Sequence, residues 1–228
     1  AVALEVYPGS TPQETKQRLD AIAAGKATGR SYDRLFFRHF DRWVDGRRSH
    51  LFVLPSSGGE PVDVMKSMDA DSPSKPAGGS EEYAFTPDGG SIVFTARDVG
   101  REEAWSTNFD LFVVPIDGST APRNLTSTNP AWDAYPAFSP DGRTLAYTAM
   151  QRPGFEADRF RVVLRDWPSG TERVLTESWD RSAGNLAWAP DGRTIYATSD
   201  NLGNHSLFAI DVRSGKVRTS PRMNKIVL

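Results

Sequence analysis

The 228-residue sequence has no cysteine and three histidines. The lack of cysteine excludes disulfide bonds and thiolate metal sites. The histidines, His39, His50 and His205, are far apart and form no His-Glu-x-x-His motif, so we predict no metal site and no cofactor. No stretch reaches the roughly 20 apolar residues of a membrane helix. The net charge of −2, from 27 basic and 29 acidic residues, gives no bulk signal for nucleic acid or membrane, and neither is expected as a partner.

Motifs of catalysis are missing as well. There is no Gly-x-Ser-x-Gly pentad to expose a nucleophilic serine on a strand-to-helix turn, and there is no glycine-rich phosphate loop. Ser72-Pro-Ser-Lys75 matches Ser-x-x-Lys in letters only, because that motif needs a helix start and this one lies in the Ser- and Pro-rich stretch 67–80. We predict no catalytic residue and no enzymatic activity for this chain alone.

A phrase centred on Pro-Asp-Gly occurs three times. The copies are Phe85–Phe94, Phe138–Tyr147 and Trp188–Ala197, and their prolines are 53 and 50 residues apart. Proline presets φ, aspartate bonds nearby backbone and glycine adopts positive φ, so each phrase predicts a tight turn, centred on Asp88, Asp141 or Asp191. A fixed period of this size indicates a repeat architecture.

The rest of each period is rich in β-branched and aromatic residues, which favours strands. Each period contains four such runs separated by turn residues. The sequence therefore predicts an all-β fold, an incomplete β-propeller of about four blades, each a four-stranded antiparallel sheet. We expect the blades at 1–66 (truncated), 67–126, 127–176 and 177–228.

The first unit departs from the repeat. Val2–Tyr7 is interpreted as its second strand and the run from His50 as its third. Between them, Thr11-Pro-Gln-Glu14 is a capping box that predicts a helical insert at about Pro12–Ala24. A strand is expected near Arg34–Phe40, and Asn224–Leu228 is expected to begin a further, unfinished element. We expect a piece of a longer propeller; a four-bladed ring closed by pairing of the chain ends is the alternative.

Two loops hold the candidate binding residues. Each joins the second and third strands of its blade, so both should emerge on the same side of a propeller, where their carboxylates could hold a cation such as a peptide amino terminus. Exposed loop charges, partly matched by nearby arginines, are the alternative interpretation. Trp43 and Trp105 are candidates for a contact on that side, whereas Trp132, Trp179 and Trp188 are interpreted as packing residues. The predicted substrate-binding residues are Glu156, Asp158, Glu102, Glu103 and Trp105.

The repeats resemble those of the prolyl oligopeptidase family of serine peptidases and of the periplasmic protein TolB. Several phrases favour the peptidases, in particular their bacterial dipeptidyl-peptidase-like and acylaminoacyl-peptidase-like branch. TolB repeats share the Pro-Asp-Gly turn but are shorter and lack the long loops and the helical insert. The phrases are Tyr32–Val53, Trp132–Gly142, Gln151–Arg159 and Trp179–Ser182.

The resemblance implies an N-terminal propeller that caps a C-terminal α/β-hydrolase domain and restricts access to short peptides, with acidic propeller residues that receive the substrate's amino terminus. The hydrolase domain and its Ser-Asp-His triad are absent from this chain. The hydrolase domain and short peptides are thus the implied partners, with a TolB-like scaffold for protein–protein interaction as the alternative. A periplasmic or secreted location in a bacterium is implied, with cytoplasmic as the alternative. Unpaired blade edges also predict self-association.

Overall fold

The computed structural model describes residues 1–220, and the element expected at 224–228 lies outside them. Residues 1–220 form four antiparallel sheets, one small hairpin, one α-helix and two short 3-10 helices at Ser80–Glu82 and Gly100–Ala104, which confirms the all-β propeller arrangement with a helical insert. The elements in chain order are β1 Val2–Val6, α1 Pro12–Ala24, β2 Arg38–His39, β3 Arg42–Trp43, β4 Arg48–Val53, β5 Val62–Asp63, β6 Tyr83–Phe85, β7 Ser91–Ala96, β8 Asp110–Pro115, β9 Arg123–Asn124, β10 Asp133–Phe138, β11 Thr144–Ala149, β12 Arg161–Asp166, β13 Glu172–Val174, β14 Gly184–Trp188, β15 Thr194–Asn201, β16 Asn204–Asp211 and β17 Val217–Thr219.

The second, third and fourth sheets each contain four strands that pair in chain order: β6 to β9, β10 to β13 and β14 to β17. The first sheet has three, in the order β1-β4-β5, with residues 7–47 inserted between β1 and β4. Within residues 1–220, no strand of the first sheet pairs with a strand of the fourth, so pairing that would close a four-bladed ring is not observed there.

The Pro-Asp-Gly turns join the first and second strands of the last three sheets, as the repeat predicts. In the third sheet the Ser139 hydroxyl donates to Asp141 Oδ1 at 2.6 Å, and Asp141 accepts the backbone N–H of Arg143 at 3.1 Å. Gly142 has φ +70°, and a Cβ at this position would lie 2.7 Å from Cβ of Pro87 in the neighbouring turn. This turn therefore requires glycine both for its backbone conformation and for the close approach of the next sheet.

Apolar side chains pack between successive sheets. Leu51 and Met65 of the first sheet region join Ile92 and Phe94 of the second, and similar clusters lie between the second and third and between the third and fourth sheets. The three tryptophans interpreted as packing residues contribute here: Trp132 stacks on Phe109 with ring centroids 4.4 Å apart, Trp179 contacts Phe208 at 5.0 Å, and Trp188 donates to the carbonyl of Ala137 at 3.0 Å.

The insert begins with the predicted helix α1. Both bonds of the capping box are present, from the Glu14 N–H to Thr11 Oγ1 at 3.1 Å and from the Thr11 N–H to Glu14 Oε2 at 2.7 Å. In residues 1–220, no helix has the length and apolar character needed to cross a membrane.

The strand expected near Arg34–Phe40 is present only as the two-residue strand β2. It pairs with β3 alone, with Phe40 at φ +49° in the turn between them, and it joins no blade. Tyr32, Phe37 and Trp43 pack on one another with centroids 5.8–6.1 Å apart, so this segment's aromatic residues form a local cluster. The many aromatic residues in this segment predicted a strand within a blade, but the segment pairs with no strand of a blade.

Candidate functional site

The connections between second and third strands emerge on one side of the propeller, opposite the Pro-Asp-Gly turns. We call this side the rim; it consists of residues 7–47, 97–109, 150–160 and the short turn 202–203. Apolar side chains are concentrated on the rim despite their exposure, which marks it as a candidate interaction surface. They are Ile22, Leu35, Phe37, Phe40, Trp43, Trp105, Phe155 and Leu202.

A buried arginine ties the 97–109 connection to the first sheet. Arg48 of β4 is 8% exposed, and its guanidinium binds Glu103 through two bonds of 2.8 and 2.7 Å. It also donates to Asp69 at 2.8 Å and to Asp71 at 2.9 Å. Burial alone would lower the pKa of Arg48, but these carboxylates raise it above its ordinary value. Glu103, predicted from sequence as a ligand group, is thus held in a structural ion pair.

Asp69 shows the strength of this network. Burial opposes its charge, yet bonds from Arg34 and Arg48 hold the pKa of its carboxyl at about 2. Lys75 adds a further cation, 2.9 Å from Glu5 and 3.0 Å from Asp71. The network links the 7–47 insert, β4 and the Ser- and Pro-rich stretch into one polar layer beneath the rim.

Two more hydrogen bonds fix neighbouring rim connections to each other. The backbone N–H of Gly154 donates to Thr107 Oγ1 at 2.8 Å, across two blades. Arg101 Nη2 donates to the carbonyl of Asp33 at 3.3 Å, from the second blade to the insert. The predicted adjacency of the two acidic loops is therefore present in the structure.

Asp158 shapes its own loop. It is 8% exposed and accepts the backbone N–H groups of Gln151 and Arg152 at 2.9 and 2.7 Å. The Arg152 guanidinium adds bonds of 3.0 and 2.7 Å. Although burial would raise its pKa, the Arg152 side chain and the backbone donors hold the pKa of Asp158 well below its usual range. Both its oxygens are already occupied by donors from the chain.

Glu156, Glu102 and Trp105 are the predicted residues that remain accessible. All three are exposed, and in residues 1–220 neither Glu156 nor Glu102 has a side-chain hydrogen bond or ion pair. Trp105 and Glu156 line one groove together with Phe36, Phe155 and Arg97. Glu102 lies on the same connection as Trp105 but outside this lining.

Arg97 supplies the positive charge of this groove. Its guanidinium donates to the carbonyl of Ser106 at 2.8 Å, lies 4.7 Å from the centre of the Phe109 ring, and is 4.0 Å from Glu103. Burial lowers the pKa of Arg97, while Glu103 and Glu156 partly offset that effect. Sequence reasoning missed Phe36, Phe155 and Arg97 as groove residues. Phe155 stands beside the predicted Glu156, whereas nothing in the sequence brings Phe36 to a loop about 120 residues away.

No group of three or more histidine, cysteine, aspartate or glutamate side chains that could hold a metal ion occurs in the described part of the chain. The accessible chemistry of the groove is thus one carboxylate, that of Glu156, beside aromatic faces, and it suits a cation or an apolar group.

Comparisons of sequence point to one type of protein. No family model matches the chain. The dipeptidyl-peptidase 5 of Porphyromonas gingivalis is 31% identical over 197 residues, covering 85% of this chain and 28% of the relative. The dipeptidyl-peptidase 5 of the fungus Arthroderma otae is 29% identical over 222 residues, covering 90% and 31%. The chain is related to the N-terminal part of dipeptidyl-peptidase 5. It spans less than a third of the length of these peptidases, and the resemblance to peptidases of this type is confirmed.

Solved structures agree on the fold of this chain. A puromycin-hydrolysing peptidase of Mycobacterium tuberculosis matches with a TM-score of 0.54 at 19% identity, over 75% of this chain and 27% of that one. TolB of Acinetobacter baumannii matches with 0.52 at 18% identity, over 75% and 37%. These likenesses support a propeller and, being nearly equal, do not separate a peptidase from a scaffold.

Proposed function

We propose that this chain is the substrate-gating propeller of a serine peptidase that acts on short peptides with a free amino terminus. The observation that supports the proposal most is the relation in sequence to dipeptidyl-peptidase 5, which extends over 85–90% of the chain. The triad of such a peptidase is carried by a further domain, since no activated nucleophile can be assembled from the residues of this propeller. The rim is the side that faces this domain.

Glu156 is the residue that receives the substrate's ammonium group. Of the five predicted binding residues, Glu103 and Asp158 already hold arginines, whereas Glu156 combines a free carboxylate with a place in the rim groove. A carboxylate accepts a charge-assisted bond from an ammonium, and such bonds are stronger than neutral ones. Glu102, exposed on the neighbouring connection, adds negative charge at the approach to the groove.

The test is Glu156→Gln in the full-length peptidase that contains this propeller. Because the bond positions the substrate, kcat/KM for dipeptidyl substrates with a free amine should fall roughly tenfold or more, whereas amino-blocked substrates should be nearly unaffected. Glu60→Gln is the matched control, since Glu60 is an exposed glutamate in the β4–β5 turn on the opposite side. Equal losses on blocked and free substrates would contradict the role of Glu156.

A TolB-like scaffold is the second candidate, favoured by the TolB likeness in fold alone. A Gly-x-Ser-x-Gly motif in the sequence that follows Leu228 in the parent gene would decide for the peptidase. A parent without a hydrolase domain would decide for the scaffold.

A further inference from the structure

The rim groove is built by three connections that are distant in sequence. Phe36 comes from the insert, Trp105 from the 97–109 connection and Phe155 from the 150–160 connection. Trp105 is 67% exposed and presents apolar surface to the groove, and Phe155 is 43% exposed with the Arg152 guanidinium 4.3 Å from the centre of its ring. Covering such apolar surface is favourable, and large aromatic rings pack against other rings edge-on or offset.

The three connections hold the groove in place before any ligand arrives. The Gly154–Thr107 bond joins the second and third blades, and the Arg101–Asp33 bond joins the second blade to the insert. The Arg48–Glu103 pair anchors the middle connection to a buried strand. A groove fixed in this way loses little conformational entropy on binding, which favours selective recognition of a side chain by shape and polarity.

The chemistry of the groove identifies its occupant. Glu156 has a free carboxylate at the same groove as the aromatic faces. The Arg97 guanidinium at this groove donates to the Ser106 carbonyl and lies 4.0 Å from Glu103, and its side chain is 15% exposed, so the accessible charge at the groove is that of Glu156. One free anion next to apolar surface complements a group in which the same carbon atom carries an ammonium and an apolar side chain. The first residue of an unblocked peptide has that composition.

We propose that the groove of Phe36, Trp105 and Phe155 holds the first side chain of the peptide whose amino group Glu156 binds, and that it selects peptides with a large apolar, above all aromatic, first residue. This inference rests on the proposed function, and it adds to it the class of substrate. A glycine in first position leaves the exposed surface of Trp105 and Phe155 uncovered, and a basic side chain loses hydration against these rings.

The experiment is an NMR titration of the 228-residue chain with dipeptide amides, which carry an ammonium and no carboxylate. The probes are Phe-Ala amide, Gly-Ala amide and N-acetyl-Phe-Ala amide. We expect Phe-Ala amide to bind roughly fivefold to tenfold more tightly than Gly-Ala amide, since part of one aromatic side chain is buried. Trp105→Ala and Phe155→Ala should each reduce this ratio severalfold and leave the Gly-Ala amide affinity nearly unchanged. Both side chains are exposed, so these variants should fold.

Phe40→Ala is the matched control, because Phe40 is a rim aromatic, 78% exposed, that does not line the groove. Equal affinity of wild type for the Phe and Gly probes, no binding of any probe, or an equal effect of Phe40→Ala would each overturn the inference. Glu156→Gln should weaken both free-amine probes alike. If N-acetyl-Phe-Ala amide binds as tightly as Phe-Ala amide while Trp105→Ala weakens both, the role of Glu156 fails and the aromatic groove stands.

Discussion

Asp133 is a fully buried carboxyl group next to the junction of the second and third sheets. Its Oδ1 accepts the side-chain amide of Asn129 at 2.9 Å, while Oδ2 has no hydrogen-bond partner among residues 1–220. Burial raises the pKa of Asp133 to about 8 from an ordinary value of 3.8. The folded protein therefore keeps a proton on this group across a pH range in which the unfolded chain loses it.

This proton predicts a pH dependence of stability. Between about pH 4 and pH 8 the folded state binds more protons at Asp133 than the unfolded state, so this residue makes folding less favourable as pH rises. The change is on the order of 1 kcal/mol per pH unit and stops above about pH 8, where the folded carboxyl also ionises.

Asp133→Asn keeps the shape of the side chain and removes its titration. The free energy of unfolding of the variant minus that of wild type, both measured in urea, should increase steadily from pH 5 to pH 8. Other carboxylates, such as Asp69 with its lowered pKa, affect both proteins equally and cancel in the difference. A difference that is constant over this range would refute the prediction.

At the residue scale, the sequence could name the candidate site but could not rank its members. Glu102 and Glu103 are adjacent and chemically identical, yet one is exposed and the other binds Arg48 from a strand 55 residues away. Likewise the Asp158 carboxylate binds Arg152, whereas Glu156, two residues earlier, is exposed and has no side-chain partner among residues 1–220. Which of two neighbouring carboxylates a fold uses depends on tertiary contacts that no local pattern contains.

At the scale of elements, the 97–109 connection depends on one carboxylate. Glu103→Gln removes a partner of a buried arginine and should lower the free energy of unfolding by about 3 kcal/mol. Glu102→Gln should change it by less than about 0.5 kcal/mol, because that side chain is exposed and unpaired within the described residues. Guanidinium denaturation of both variants is the measurement. Similar losses for the two would mean that the Arg48 pairs do not anchor the connection.

The elements with a local signal were predictable. The repeated turns, most of the strands and helix α1 follow from Pro-Asp-Gly spacing, β-branched runs and a capping box, all readable within a few residues. The hairpin of β2 and β3 was not predictable. The aromatic residues of 32–43 are typical of a strand in a sheet, but in the structure they pack on one another. The groove could not be predicted, since Phe36 reaches it through the path of the insert.

For the whole molecule, the first sheet predicts self-association. Among the described residues β1 pairs on one side only, with β4, and its Leu4 and Val2 are exposed. An unpaired apolar edge is a template for a strand of another molecule. The mass measured by light scattering should therefore rise with concentration.

Leu4→Lys should reduce this rise, because a charge on the edge opposes strand pairing. Ile22→Lys on helix α1 is the control, a change of an exposed apolar residue away from the edge. A mass that stays monomeric for wild type over a wide concentration range would contradict the prediction.

The contact between Gly142 and Pro87 has a geometric consequence for a complete ring. Two neighbouring blades meet there at van der Waals distance, with no room for one additional methyl group. The hydrogen side chain of Gly142 thus acts as a spacer of minimal thickness, which sets the angle between these two blades. Such angles add up around a propeller axis to a full circle, so the close approach at Gly142 bears on how many blades the ring can contain.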